Sequence, residues 1–152
     1  HFKYMRPNLR VIAESSSRRL FQMLTKDSFD SWLGFAFERF CVKHAMRLSS
    51  VMGFEDEVLT ASPYFERGDK AFQVDLLFQR GDRVITLCEI KHHNAPITTQ
   101  VIPEVERKCT LLNIPRGFTL ERALISLHGQ DHALRDSAYF HHVVSLDDII
   151  GG

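Results

Sequence analysis

The apolar repeat of this chain changes period once, near Gly53, and that change restricts it to folds that mix helices with strands. Across residues 28–49 the apolar positions Phe29, Trp32, Leu33, Ala36, Phe37, Phe40, Cys41, His44, Ala45 and Leu48 recur at three and four, the spacing of one helix face. Beyond Gly53 the runs shorten, alternate at two and are punctuated by Gly and Asp, so strands are expected at 57–59, 71–78 and 83–91. Gln79, Arg80, Gly81 and Asp82 read as a tight hairpin turn in which Gly81 supplies a positive φ. Helical spacing returns over 98–113 through Val101, Val105, Cys109 and Leu112. Pro103 is tolerated only in a first turn, which places the start of that helix near Val101 or Ile102. Further strands are expected at 122–127 and 140–144, and Ser145 caps a short helix with Asp147 and Asp148 in its first turn. The expectation is an α/β fold, a mixed β-sheet flanked by helices.

Length and composition narrow the class. The chain has 152 residues, the size of about one domain, with 44% hydrophobic and 25% charged side chains, which excludes a disordered or low-complexity segment. Its longest apolar stretch, 33–37, contains Gly34 and falls far short of the ~18 residues a membrane span needs, so no membrane partner is expected. Net charge is zero, but residues 1–50 hold 9 Lys/Arg against 4 Asp/Glu and the remainder hold 10 against 15. That asymmetry can steer a polyanion to one face without being a strong nucleic-acid footprint. Cys41, Cys88 and Cys109 are odd in number and set in apolar runs, which fits buried free thiols in a reducing, cytoplasmic compartment. The chain begins at His1 with no signal-peptide pattern and reads as a piece of a longer protein. Residues 1–27, with the polar break Ser15, Ser16 and Ser17, read as an arm or connector; 28–152 read as the domain.

The chemistry concentrates in two strands. Side chains on a strand alternate faces, so Glu89 and Lys91 share one face about 7 Å apart while Cys88 and Ile90 point away. A turn near Gly81 sets residues 75 and 89 roughly opposite each other, bringing Asp75, Glu89 and Lys91 toward one patch. Paired carboxylates repel unless a proton, a cationic side chain or a metal offsets them. A hard cation such as Mg²⁺ suits one or two carboxylates with open coordination positions, and Lys91 can orient a water or stabilise charge on a phosphate. Of equal weight on spacing alone is a surface hairpin in which Lys91 merely pairs with Glu89 or Asp75.

The longer pattern adds to this: Gly34-Phe35-Ala36-Phe37-Glu38, then Gln73-Val74-Asp75-Leu76-Leu77, then Leu87-Cys88-Glu89-Ile90-Lys91. Together these resemble the PD-(D/E)xK nuclease superfamily, and in particular the C-terminal nuclease-like domain of prokaryotic AAA-type ATPases. The resemblance spans about residues 32–150, with Val74 standing where the superfamily name has Pro. It implies a restriction-endonuclease-like αβββαβ core. It also implies Asp75 and Glu89 as ligands for Mg²⁺ or Mn²⁺, Lys91 as the catalytic lysine and Glu38 as a supporting helix carboxylate. The small neighbours of Glu38 at i−4, i+3 and i+7, Gly34, Cys41 and Ala45, leave room for a backbone to approach it. DNA and an ATPase region of the same full-length chain are the implied partners. No G-x-x-x-x-G-K-S/T motif is present, so these residues are not expected to bind ATP.

Arg39, Lys43, Arg47, Arg10, Arg18 and Arg19, with Arg107 and Lys108 on the second long helix, are candidate nucleic-acid contacts; solvated helix surface weighs equally. His128 with His132 and the doublets His92-His93 and His141-His142 invite zinc, but no cysteine sits beside them to complete a ligand set. His44 reads as a core histidine. The leading expectation is a metal-dependent DNA endonuclease domain. Its alternative is a non-catalytic module of the same fold that binds DNA or protein, or self-associates into a homo-oligomer, without a divalent cation.

Overall fold

Helix α1 runs Lys26–Lys43 and α2 runs Ala45–Met52, so the helix expected over 28–49 is two helices broken at His44 (φ −104°, ψ 31°). A computed structural model describes residues 26–151; the arm expected over 1–27, with Arg10, Arg18 and Arg19, lies outside the described residues up to position 25. The break re-phases the chain: α2 buries Ala45, Leu48 and Ser49, and His44 is exposed instead of joining the core. Gly53 ends α2 in the left-handed region (φ 92°), where its N–H and that of Phe54 both return to the Ser49 carbonyl at 2.9 Å. A side chain with a Cβ would resist that φ, which is why the helical period stops at a glycine. Contacts divide the chain within α1, between Phe40 and Cys41, and the second unit carries the whole sheet.

The remaining elements are β1 (Val58–Glu66), β2 (Phe72–Arg80), β3 (Val84–Lys91), α3 (Ile102–Leu111), β4 (Thr119–Ser126), α4 (His132–Ser137), β5 (His142–Ser145) and α5 (Leu146–Gly151). The strands form one five-stranded sheet in the order β1-β2-β3-β4-β5, antiparallel from β1 to β3 and parallel from β3 to β5. The fold is α/β, a mixed sheet flanked by helices. Among the described residues no helix is long and apolar enough to cross a membrane.

Strand β1 is longer than the 57–59 expected: it runs on through Pro63, which is tolerated in an edge strand where its missing N–H costs no central ladder bond. It also lies at an irregularity: Ser62 pairs with Leu77 but Tyr64 pairs with Val74, so β2 carries one extra residue there. The β2–β3 loop corrects a second expectation. The positive φ belongs to Arg83 (62°), not Gly81. Gly81 instead lets another segment approach, donating its N–H to the Glu57 carbonyl at 2.7 Å with the Glu57 side chain 3.4 Å from where a Cβ would stand.

On one sheet face Phe72, Val74, Leu77, Leu87 and Leu124 pack with Val105 of α3 in the main apolar cluster. Helix α3 is preceded by a 3₁₀ turn, Thr99–Val101, and carries Pro103 in its first turn as expected. The other face carries Leu76, Phe78 and Cys88, with Phe54 edge-on to Phe78 at 5.2 Å between centroids. There α2 packs against β1, β5 and α5, and Arg47 reaches the Ile149 carbonyl at 3.2 Å. Helix α5 is capped as expected: Asp148 accepts from the Ser145 N–H (2.9 Å) while Ser145 Oγ accepts from the Asp148 N–H (3.4 Å). The short α4, which the apolar period did not reveal, starts at Asp131, whose carboxylate accepts from the Leu134 N–H at 2.8 Å. All three cysteines are free, Cys41 and Cys88 buried and Cys109 half-buried.

Arg80 completes the face beneath Phe54. Its guanidinium grips Asp82 (2.6 and 3.1 Å), Glu121 (2.8 Å) and Thr86 (3.3 Å) and lies 4.1 Å from the centre of the Phe54 ring. Removing this buried cation takes the guanidinium from Glu121 and Asp82 and uncovers Thr86, so Arg80→Met is expected to lower unfolding free energy by about 2 kcal/mol in urea titration. Burial pushes the Glu121 carboxyl upward, but its hydrogen bond from His142 and the charges of His142 and Arg80 outweigh that, leaving it below the ordinary value of 4.5. A lowered folded pKa contributes stability above 4.5 that is lost as pH falls through the folded value. Glu121→Gln should therefore flatten the acid side of the stability-against-pH curve, read by thermal melting between neutral pH and about pH 3.

Candidate functional site

The β2–β3 ladder pairs Gln79 with Ile85, Phe78 with Thr86, Leu77 with Leu87 and Leu76 with Cys88, then stops. The next step outward would set Asp75 against Glu89. There the Asp75 carboxylate takes over, accepting the Ile90 N–H at 2.9 Å. The extra residue of β2 lies at the same place, between Val74 and Leu77, and a bulge of this kind re-aims a side chain at a strand's working end. Asp75 is half-buried and held by backbone, its carboxyl group fixed beside the segment that carries Glu89 and Lys91.

Glu89 is 2% exposed, and a carboxylate so deeply buried needs compensating charge. Two lysines supply it. Lys108 Nζ stands 2.8 Å from Oε1, and Lys91 Nζ stands 3.5 Å from Oε2. The Lys91 side chain keeps 32% of its surface exposed, whereas Lys108 is buried. Lys108 sits in the last turn of α3, where a cation also complements the helix dipole. Glu89 is thus matched by two ammoniums while Asp75 is held by the Ile90 N–H, and among the described residues no buried side-chain polar atom lacks a hydrogen-bond partner.

The site opens at the carboxyl ends of the parallel strands, where α/β sheets commonly take ligands. Lys91 and Ser126 are register partners at the ends of β3 and β4. The loops that follow are stitched together: Ile97 donates to the Gly129 carbonyl and Asp131 to the Ile97 carbonyl, both at 2.9 Å, and His128 Nε2 meets Asn94 Oδ1 at 3.0 Å. His92 and His93 follow Lys91 with their rings in contact. Burial, and then the Lys91 charge, lower the pKa of His93 and favour its neutral form. Cys88 points to the opposite face, and burial first, then Cys41 and Asp75, raise its thiol well above the ordinary value, which removes it as a nucleophile. Burial likewise pushes Cys109 up to about 11.

Glu38 is half-buried on α1, in the first unit. Arg39 and Lys43 are exposed on α1. Arg107 is exposed but tethered, donating to the Ala71 carbonyl at 2.8 Å and pairing with Glu104 at 3.3 Å. Lys108, grouped with Arg107 as a surface cation in the sequence, lies inside against Glu89 instead. The signal was present: Val101, Val105, Lys108 and Leu112 form one stripe at helical spacing, and the lysine stands on it.

Two carboxylates from neighbouring strands are the donor chemistry of a hard cation, since Mg²⁺ usually takes one or two carboxylates and completes its shell with water and phosphate oxygens. Among the described residues no group of three or more His, Cys, Asp or Glu side chains is placed to hold a metal, which sets this pair apart from an all-protein cage.

No curated protein matches the chain. The family model described as "Archaea bacterial proteins of unknown function" (DUF234) matches residues 1–105. That stretch includes Glu38, Asp75, Glu89 and Lys91 and ends at Val105, three residues before Lys108. With more than half its length matched, the chain belongs to the DUF234 family.

Proposed function

We propose that this chain is a metal-dependent DNA endonuclease domain of the PD-(D/E)xK kind, working as the C-terminal part of an AAA-type ATPase in the cytoplasm. The observation that supports the reading is the Asp75 carboxylate held on the Ile90 N–H, the residue between the paired Glu89 and Lys91, where the β2–β3 ladder ends, on a chain whose elements include the run α2-β1-β2-β3-α3-β4. In this reading Asp75 and Glu89 hold Mg²⁺ or Mn²⁺, which when bound supplies Lewis acidity and a water of lowered pKa. The Ile90 N–H fixes the orientation of Asp75. Lys91, anchored at Glu89 yet one-third exposed, reaches outward to the phosphodiester and stabilises the negative charge that builds on its oxygens. Arg39, Lys43 and Arg107 are the exposed cations that follow the DNA backbone, each contact releasing counterions.

A second reading draws on the charge balance at Glu89. Both of its oxygens already face lysines, which suits a nuclease-fold module that binds DNA or protein, or self-associates, without a divalent cation. The two readings separate in a plasmid-nicking assay with Mn²⁺. The nuclease reading expects cutting that drops by at least about a hundredfold in Asp75→Ala and in Lys91→Ala, with unchanged circular dichroism. Cutting that persists in an Asp75→Ala, Glu89→Ala double variant overturns it; DNA retention without cutting, indifferent to chelator, favours the second.

A further inference from the structure

Glu89 is the one carboxylate of the site whose two oxygens are each matched to an ammonium, and the two ammoniums are not equivalent. Lys91 stands at 3.5 Å with a third of its side chain in solvent; Lys108 stands at 2.8 Å, buried, brought from a different element. We infer that Lys108 is a resident counter-ion that occupies the cation's place at Glu89, so that divalent metal loads only by competing with it. This rests on Asp75 and Glu89 being the metal donors, and it adds a positioning residue that controls when they act.

The physics runs through charge. Asp75, Glu89, Lys91 and Lys108 sum to zero, so a divalent ion entering alone would leave two uncompensated positive charges in a largely buried site. Two events relieve this: withdrawal of Lys108 from Oε1, or arrival of phosphate charge from DNA. Free metal therefore binds weakly, and the fold does not depend on it, because Lys108 already neutralises Glu89 from α3. The burial of Lys108 on the apolar stripe of α3 would serve no purpose for a backbone-contacting surface lysine.

The test is Mn²⁺ titration calorimetry and thermal melting on the 152-residue chain. Lys108→Met keeps an unbranched side chain of similar length and removes the charge. It should tighten Mn²⁺ binding roughly tenfold to a hundredfold, the scale of one charge-assisted hydrogen bond. It should also lower the melting temperature without metal and recover more of it on adding Mn²⁺ than the wild type gains. Lys108→Arg, which keeps the charge, should bind Mn²⁺ like the wild type. If the Met variant does not fold, Lys108→Gln keeps a donor to Glu89 without the charge and should show the same tightening. Unchanged or weaker Mn²⁺ binding in a folded neutral variant, with wild-type binding still abolished by Asp75→Ala, overturns the inference and leaves the nuclease reading standing. Absence of Mn²⁺ binding from the wild type and every variant overturns both.

Discussion

The contact between Glu89 and Lys108 joins the central strand to the crossover helix, and the arrangement at the end of the sheet depends on it. A carboxylate 2% exposed cannot remain ionised in an apolar layer without partners, and Val105 and Leu112, on either side of Lys108, are themselves buried there. The pair is worth less as net stability than as placement, because desolvating two ions consumes most of the Coulomb energy they recover. What it fixes is the position of α3 over β3. That in turn leaves Lys91, on the same face and two residues on, with its outer part in solvent.

The ladder end does the complementary work. An uninterrupted β2–β3 pairing would present Asp75 like any other strand residue; the extra residue between Val74 and Leu77 lets its carboxylate take the Ile90 N–H instead. One backbone irregularity thus yields a fixed acidic group, and the edge strand that accommodates it carries Pro63 opposite. The exposed cations Arg39, Lys43 and Arg107, by contrast, stand on helices.

How much of this was legible depended on whether a signal was local. The change of period at Gly53, the first-turn Pro103 and the Ser145–Asp148 cap are local, and the elements they announce are present. So was the pairing of Lys91 with Glu89, two residues apart on one strand, which spacing placed on one face. Features decided by distant chain were read less well. The break at His44 sets α2 against β1, β5 and α5, a packing that no three-and-four count contains. The role of Gly81 is set by Glu57, twenty-four positions away, so a turn rule assigned the positive φ to the wrong residue. Lys108 is instructive because its place on the α3 stripe was visible, while the partner that makes a buried lysine tolerable lies nineteen residues upstream.

The two buried ionic clusters of the sheet differ in a way that bears on function. Around Arg80 the guanidinium is spent on Asp82, Glu121 and Thr86 and is covered by Phe54, so no charged donor is left facing solvent from that buried residue. Such a cluster ties the β2–β3 hairpin to β4. Around Glu89 the carboxylate is likewise enclosed, but one of its two partners has a long stem that runs out to the carboxyl end of β3. The same rule, that buried charge must be paired, leaves a carboxylate, Asp82, as the outermost group of one cluster and an ammonium, the one-third-exposed Lys91, as the outermost group of the other. The proposed phosphate-directed chemistry would therefore belong at Lys91 and its neighbours, while Arg80 ties the β2–β3 hairpin to β4.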